Sequence, residues 1–173
     1  MKGFFLGISF MLILIAGGGL AFLMLGYLDV NADSPISTLE RKIASRTVDA
    51  SVERHAVKSP NPIPENAASL KEGMVIYTMN CSGCHGTVDK KPNPVGKNLY
   101  PHAPQLIIRP LDDPEWRTFY VVKHGVSRTG MPAWGNILSE DDIWKVTAFL
   151  SNLEKLPPEV QQQMPAPVEP AAH

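Results

Sequence analysis

Cysteine is scarce in this chain of 173 residues: Cys81 and Cys84 are the only two. A tetrahedral structural zinc takes four ligands, commonly from two cysteine pairs, and no second pair is available. Charge of one sign is missing as well. The net formal charge is −1, from 16 Lys+Arg against 17 Asp+Glu, and no basic run occurs, which argues against a nucleic-acid partner. No segment alternates apolar and polar residues in the manner of a half-buried strand. A sheet is therefore not expected, and without it a thioredoxin-like dithiol loses the strand that precedes its CxxC. There is no internal repeat. The first thirty residues lack something too, since no charged side chain lies between Gly3 and Leu28.

That uncharged run of 26 residues is long enough to cross a bilayer, which takes about 20 apolar residues. Lys2 precedes it and Asp29 and Asp33 follow, so the positive-inside bias predicts a cytoplasmic start and an exported remainder. The competing reading is a signal peptide cleaved near Val30-Asn31-Ala32. Signal h-regions run only about 7–15 residues, so a retained anchor over 1–28 is expected.

Sixteen prolines, clustered at 60–64, 92–114 and 157–170, predict long loops and linkers. Residues 29–66 read as a tether. Within it Ser37-Thr38-Leu39-Glu40 has the pattern of a capping box, with Ile36, Leu39 and Ile43 at helical spacing. A short helix over about 38–50 follows, read either as an amphipathic segment near the membrane surface or as a spacer. Asn66 or Ser69 starts a second helix that runs into Cys81. Residues 86–112 read as irregular loop. Asp113-Pro114-Glu115 predicts a helix start with Asp as cap, and Gly125 its stop. Ser139 caps a last helix whose buried stripe is Ile143, Val146, Phe149, Leu150 and Leu153, ended by Pro157-Pro158. The tail, 157–173, has few large apolar groups and is expected to be disordered. The globular part, 67–156, should be all-α with long loops.

Residues 81–85 read CSGCH. A plain disulfide would leave His85 without a purpose, whereas Cys-x-x-Cys-His is the attachment pattern of c-type haem. One helical turn puts both thiols on the same face, where each can add to a vinyl group of one macrocycle. The adjacent histidine then stands beneath the iron. A second axial ligand is offered by "GVSRTGMPAWG", 125–135, through Met131, 46 residues beyond His85. A methionine in a Gly/Pro-rich loop belongs to no helical core stripe, and His/Met ligation raises the haem potential. The bland alternative is core filler. Trp134 is expected at the haem edge rather than on the surface. His124 reads as a helix C-terminal cation, His102 as a surface residue of a proline-rich loop, and His55 and His173 as tether and tail residues.

Taken in order, "CSGCHG", "HAPQL", "KHGVSRTGMPAWG" and "SEDDIWKVTAFLSNL" resemble the small class I cytochromes c over about 67–156. The resemblance implies an all-α fold in which the first and last helices cross beside one covalently held haem c. It also implies that Gly73 and Tyr77 meet Val146 and Phe149 at that crossing. Pro104-Gln105-Leu106 is similar to the family's Pro-x-Leu turn, which implies that the Pro104 carbonyl holds the second ring nitrogen of His85. The 86–103 loop is longer than in the shortest members. The membrane-tethered arrangement, with "ERHA" near the end of the tether, looks like that of anchored bacterial monohaem cytochromes.

The function implied is single-electron transfer rather than catalysis, with no small-molecule substrate. The haem domain would face the periplasm or outer side of the cytoplasmic membrane, held to the lipid bilayer. A quinol-oxidising complex and a terminal oxidase or reductase would be the partners. A fixed subunit of a larger respiratory or dehydrogenase complex is one alternative, and a haem sensor or enzyme with a displaceable Met131 is another. Lys90, Lys91, Lys97, Lys123 and Arg128 flank the haem-binding segments as a docking patch or a solvated surface. If all 37 residues of 29–65 were flexible, the tether would span roughly 30–35 Å.

Overall fold

The computed structural model describes residues 2–164, which contain eight α-helices, one 3-10 turn and no strand. The chain divides into two compact units between Ser34 and Pro35. The first holds α1, Lys2–Met24. At about 1.5 Å per residue its 23 residues cover about 35 Å, enough for a hydrocarbon core of about 30 Å. It is the one described helix long and apolar enough for that, and none of its side chains is buried within the chain.

The second unit is built on the crossing of α3, Ala67–Asn80, with α7, Glu140–Ser151. Asn66 caps α3 by accepting from the amides of Ala68 and Ser69, while Ser69 Oγ accepts from the Asn66 amide at 3.2 Å. Ser139 caps α7 by accepting from the Asp142 amide at 3.1 Å, and three acidic residues in the first turn suit that end of the helix. The crossing is close because Gly73 has no side chain. A Cβ there would lie 2.2 Å from the Lys145 carbonyl oxygen and 2.9 Å from Phe149 Cβ. One turn on, the Tyr77 and Phe149 rings pack 5.8 Å apart. Tyr77, Ile143, Val146 and Phe149 are fully buried. Glu72 spans the same crossing to Lys145 Nζ at 2.7 Å and raises the lysine's pKa.

α6, Glu115–His124, leans on α7 by stacking Phe119 on Trp144 with ring centroids 4.0 Å apart. Pro114 rather than Asp113 occupies its cap position; Asp113 turns to Arg117 Nε at 3.0 Å. Gly125 ends the helix at φ +66, the left-handed region that glycine adopts without strain. The loop over 86–112 carries one short helix, α5, Pro94–Lys97, started by Asn93 and a proline in its first turn.

Two expectations are corrected at the edges. The helix in the tether, α2, spans Thr38–His55 and packs on the globular unit instead of standing free. Val52 is 3% exposed, Asp49 pairs with Arg117, and Asn61 Nδ2 donates to Glu115 and to the Trp144 carbonyl. Lys58 lies over the Trp116 ring, 5.3 Å from its centroid. Residues 157–164 are ordered too. Pro158 begins a short helix, α8, Pro158–Gln161, and places Val160, fully buried, against the core beside Leu156. A proline in the first turn starts a helix as readily as it ends the preceding one. The rest of the expected tail, 165–173, lies outside the described residues.

Candidate haem site

α3 delivers the chain to Cys81, its C-cap, and one further turn, α4, Ser82–His85, follows at once. The amides of Cys84 and His85 both donate to the Cys81 carbonyl, at 3.1 and 2.9 Å, so the two cysteines bracket a single tight turn. Both thiols are free. Burial and the neighbouring Cys84 push the Cys81 thiol up to about 12. A thiol this reluctant to ionise is not itself a low-pKa nucleophile.

His85 is half-buried, and its Nδ1 lies 2.8 Å from the Pro104 carbonyl oxygen. A carbonyl only accepts, so Nδ1 carries the proton and Nε2 keeps its lone pair on the far side of the ring. Burial pulls the pKa of the ring below 6.5, outweighing the opposing effect of that carbonyl, and keeps the ring neutral. A neutral imidazole with its second nitrogen held by a carbonyl is the usual state of a metal-binding histidine.

The loop after the motif is wired to it through backbone carbonyls. Tyr77 Oη donates to the Gly86 and His85 carbonyls at 2.7 and 3.0 Å, and the Leu106 amide donates to His85 O at 2.9 Å. Gln105 Nε2 donates to the carbonyls of Cys84 and Ala103, while its Oε1 accepts from the Asn93 amide at 2.8 Å. Gly96 presses against the cysteine turn so closely that a Cβ would sit 1.8 Å from Cys84 O. Gln105 and Gly96 were not singled out in the sequence. Gln105 is the variable middle residue of Pro-x-Leu and Gly96 a lone glycine in a proline-rich loop, where glycine is commonplace, so neither carries a signal of its own.

Met131 stands in a tight turn. The Val126 amide donates to Met131 O at 3.2 Å, the Met131 amide to Thr129 Oγ1 at 3.0 Å, and that hydroxyl to Val126 O at 2.7 Å. Gly125 backs onto this turn, where a Cβ would meet the Met131 and Pro132 carbonyl oxygens at 2.7 Å. Met131, Trp134 and Cys81 are each partly buried against one hydrophobic cluster that also holds Leu106 and Tyr77. Trp134 opens the 3-10 turn Trp134–Asn136.

The other histidines are occupied locally. His55 Nδ1 donates to Ser51 O at 2.8 Å and His102 Nδ1 to Leu99 O at 3.0 Å. The His124 ring lies 4.5 Å from that of Tyr120, and His173 falls outside the described residues. Of the flanking cations, Lys91 pairs with Asp89 at 3.3 Å and Lys123 with Glu140. Lys90 and Arg128 are exposed, both at positive φ, and Lys97 is exposed. No cluster of three or more His, Cys, Asp or Glu side chains that could hold a metal ion occurs among the described residues.

Residues 68–150, running from α3 through α7, match the family model described as cytochrome c oxidase, cbb3-type, subunit III. This segment is a c-type cytochrome domain. The cysteine turn, the Pro104 loop and the Met131 turn all fall inside the matched cytochrome segment, while α1, α2 and α8 fall outside it. The domain is of a haem-binding, electron-transfer kind. No curated protein matches the chain.

Proposed function

We propose that the protein is a membrane-anchored monohaem cytochrome that passes single electrons between respiratory complexes on the outer side of the cytoplasmic membrane. The observation that carries the reading is one turn of chain bearing two free thiols and a histidine whose Nδ1 proton is taken by Pro104 O, 2.8 Å away. Cys81 and Cys84 would each be joined to one haem c through thioether bonds, with His85 Nε2 and Met131 Sδ as axial ligands. When bound, haem supplies a one-electron ferric/ferrous couple, whose potential is tuned by ligands, burial and hydrogen bonds. The chain's part is to fix the imidazole through Pro104, to shield the thioether side with Leu106 and Trp134, and to hold Met131 in its hydrogen-bonded turn. With His85 and Met131 both holding the iron, no open position would be left for a substrate, and the role would be transfer rather than catalysis.

α1 serves as the anchor in this reading. With α2 docked, the linker between them is residues 25–37, and 13 residues reach at most about 45 Å when fully extended. A carrier held this way meets membrane partners at raised effective concentration. The description of the matched family favours a respiratory-oxidase-related partner. The same description supports a second reading, a fixed subunit of such a complex. Purification in mild detergent separates the two: a free carrier elutes alone, and a subunit elutes with stoichiometric partners.

The mass of the mature polypeptide should exceed that of the chain by one haem, and Cys81→Ala with Cys84→Ala should leave none attached under denaturing electrophoresis. Met131→Ala should abolish the methionine–ferric charge-transfer band, lower the midpoint potential and open the reduced protein to carbon monoxide. An unchanged spectrum in that variant would remove Met131 from the iron.

A further inference from the structure

The segment N-terminal to the matched domain does more than lead the chain into it. Glu40, on the first turn of α2, accepts a hydrogen bond from Tyr100 Oη at 2.8 Å, sixty positions later in sequence. Leu99, beside Tyr100 in sequence, touches Gly130, the residue before Met131, with Leu99 Cδ1 at 2.8 Å from the place a Gly130 Cβ would take. Only the absence of that Cβ lets the leucine settle there.

The other half of α2 holds α6, the helix whose far end lies against the Met131 turn. Asp49 pairs with Arg117, whose side chain is 18% exposed and also held by Asp113, and Val52 is buried at the α2–α6 contact. Asn61, just beyond, donates to Glu115 at 2.8 Å. These contacts fix the N-terminal half of α6. Its C-terminal end is Gly125, whose backbone lies against Met131 and Pro132. The Met131 turn is thus flanked by two supports, the 99–100 loop and the end of α6. Helix α2 ties both to one rigid element.

We propose that α2 is a brace that sets the position of the Met131 turn, with Glu40 and Tyr100 as positioning residues for the axial thioether. The proposal rests on the reading of Met131 as a ligand. Its physical content is an equilibrium between a seated turn and a displaced one, biased by contacts that exist only when α2 is docked. Releasing the brace raises the displaced fraction, in which Met131 would no longer hold the iron.

The test uses the full chain, purified in detergent with its haem, in variants at the exposed end of the brace. In Tyr100→Phe and in Glu40→Ala, the rate of carbon monoxide binding to the reduced protein should rise about three- to tenfold, the change in ratio that one exposed hydrogen bond of ordinary strength produces. The methionine–ferric band should be weaker than in the parent at the same pH. Glu40→Gln keeps an acceptor for the tyrosine and should restore most of the parent behaviour. The double variant should gain no more than either single change, because both remove one contact. Ser139→Ala weakens the α7 cap at a distance, and should lower thermal stability without speeding carbon monoxide binding. Parent-like rates and band in Tyr100→Phe and Glu40→Ala, or an equal rise in Ser139→Ala, overturns the brace. A parent protein that itself lacks the band and matches Met131→Ala is a different failure: it removes the ligand assignment, and the brace with it.

Discussion

Three residues bear most of the burden of shape, and each does so by what it cannot accommodate or replace. Gly73→Ala puts a methyl group 2.2 Å from the Lys145 carbonyl, which belongs to backbone and cannot swing away. Overpacking of this kind costs about 3 kcal/mol, and denaturant unfolding of the haem-loaded protein should show that loss. Tyr77→Phe is milder. Its hydroxyl is shared between two carbonyls, of which His85 O retains the Leu106 amide while Gly86 O loses its donor. About 1 kcal/mol should be lost, with the visible spectrum little changed. In the haem-free chain His85 contributes a pH dependence whose sign follows from burial. Its folded pKa lies below 6.5, so the unfolded chain binds the additional proton and stability falls as pH drops from about 6.5 through the folded value. A urea midpoint that holds steady from pH 7 to the acid limb of the titration would contradict this. At this scale Cys81, Cys84, His85 and Met131 were visible in the sequence because their spacing is local or their loop composition unusual. Gln105 was not, since its three hydrogen bonds form only once the loop has folded back onto the cysteine turn.

Among the elements, α3, α6 and α7 were legible from caps, stop signals and an apolar stripe; the ends of α3 and α6 lie within a residue or two of those signals, but α7 stops at Ser151, short of the expected Pro157, and leaves Leu153 in the turn that follows. α2 was legible as a helix but not as a packed one. Its inward face consists of little more than Val48 and Val52, one turn apart among charged residues, and its other attachments are to residues beyond position 99 that no local pattern reveals. Val52→Ala removes two buried carbons at that face and should cost about 2 kcal/mol locally. Hydrogen exchange should then show the amides of α2 opening well before those of α3 and α7, whereas uniform exchange across all three would mean that α2 unfolds only with the whole. α8 escaped for a similar reason, as Val160 is a single apolar residue between prolines and glutamines.

The whole molecule is two units of different solvent preference, one apolar helix exposed along its length and one helical body with a core. Deleting residues 1–34 should yield a body that still carries haem and shows the same midpoint potential, because nothing within the second unit's core comes from that segment. A changed potential on deletion would tie the membrane segment to the electron chemistry.

Val52, the Asn61 contacts and Val160 together determine where a recombinant fragment is best cut. A piece trimmed to the matched boundaries, 68–150, would discard the Asn66 cap, strip α2 from α6, and leave apolar surface bare beneath the missing Leu156 and Val160. Starting at Pro35 and finishing after Met164 keeps every one of those neighbours, and makes the longer piece the soluble one.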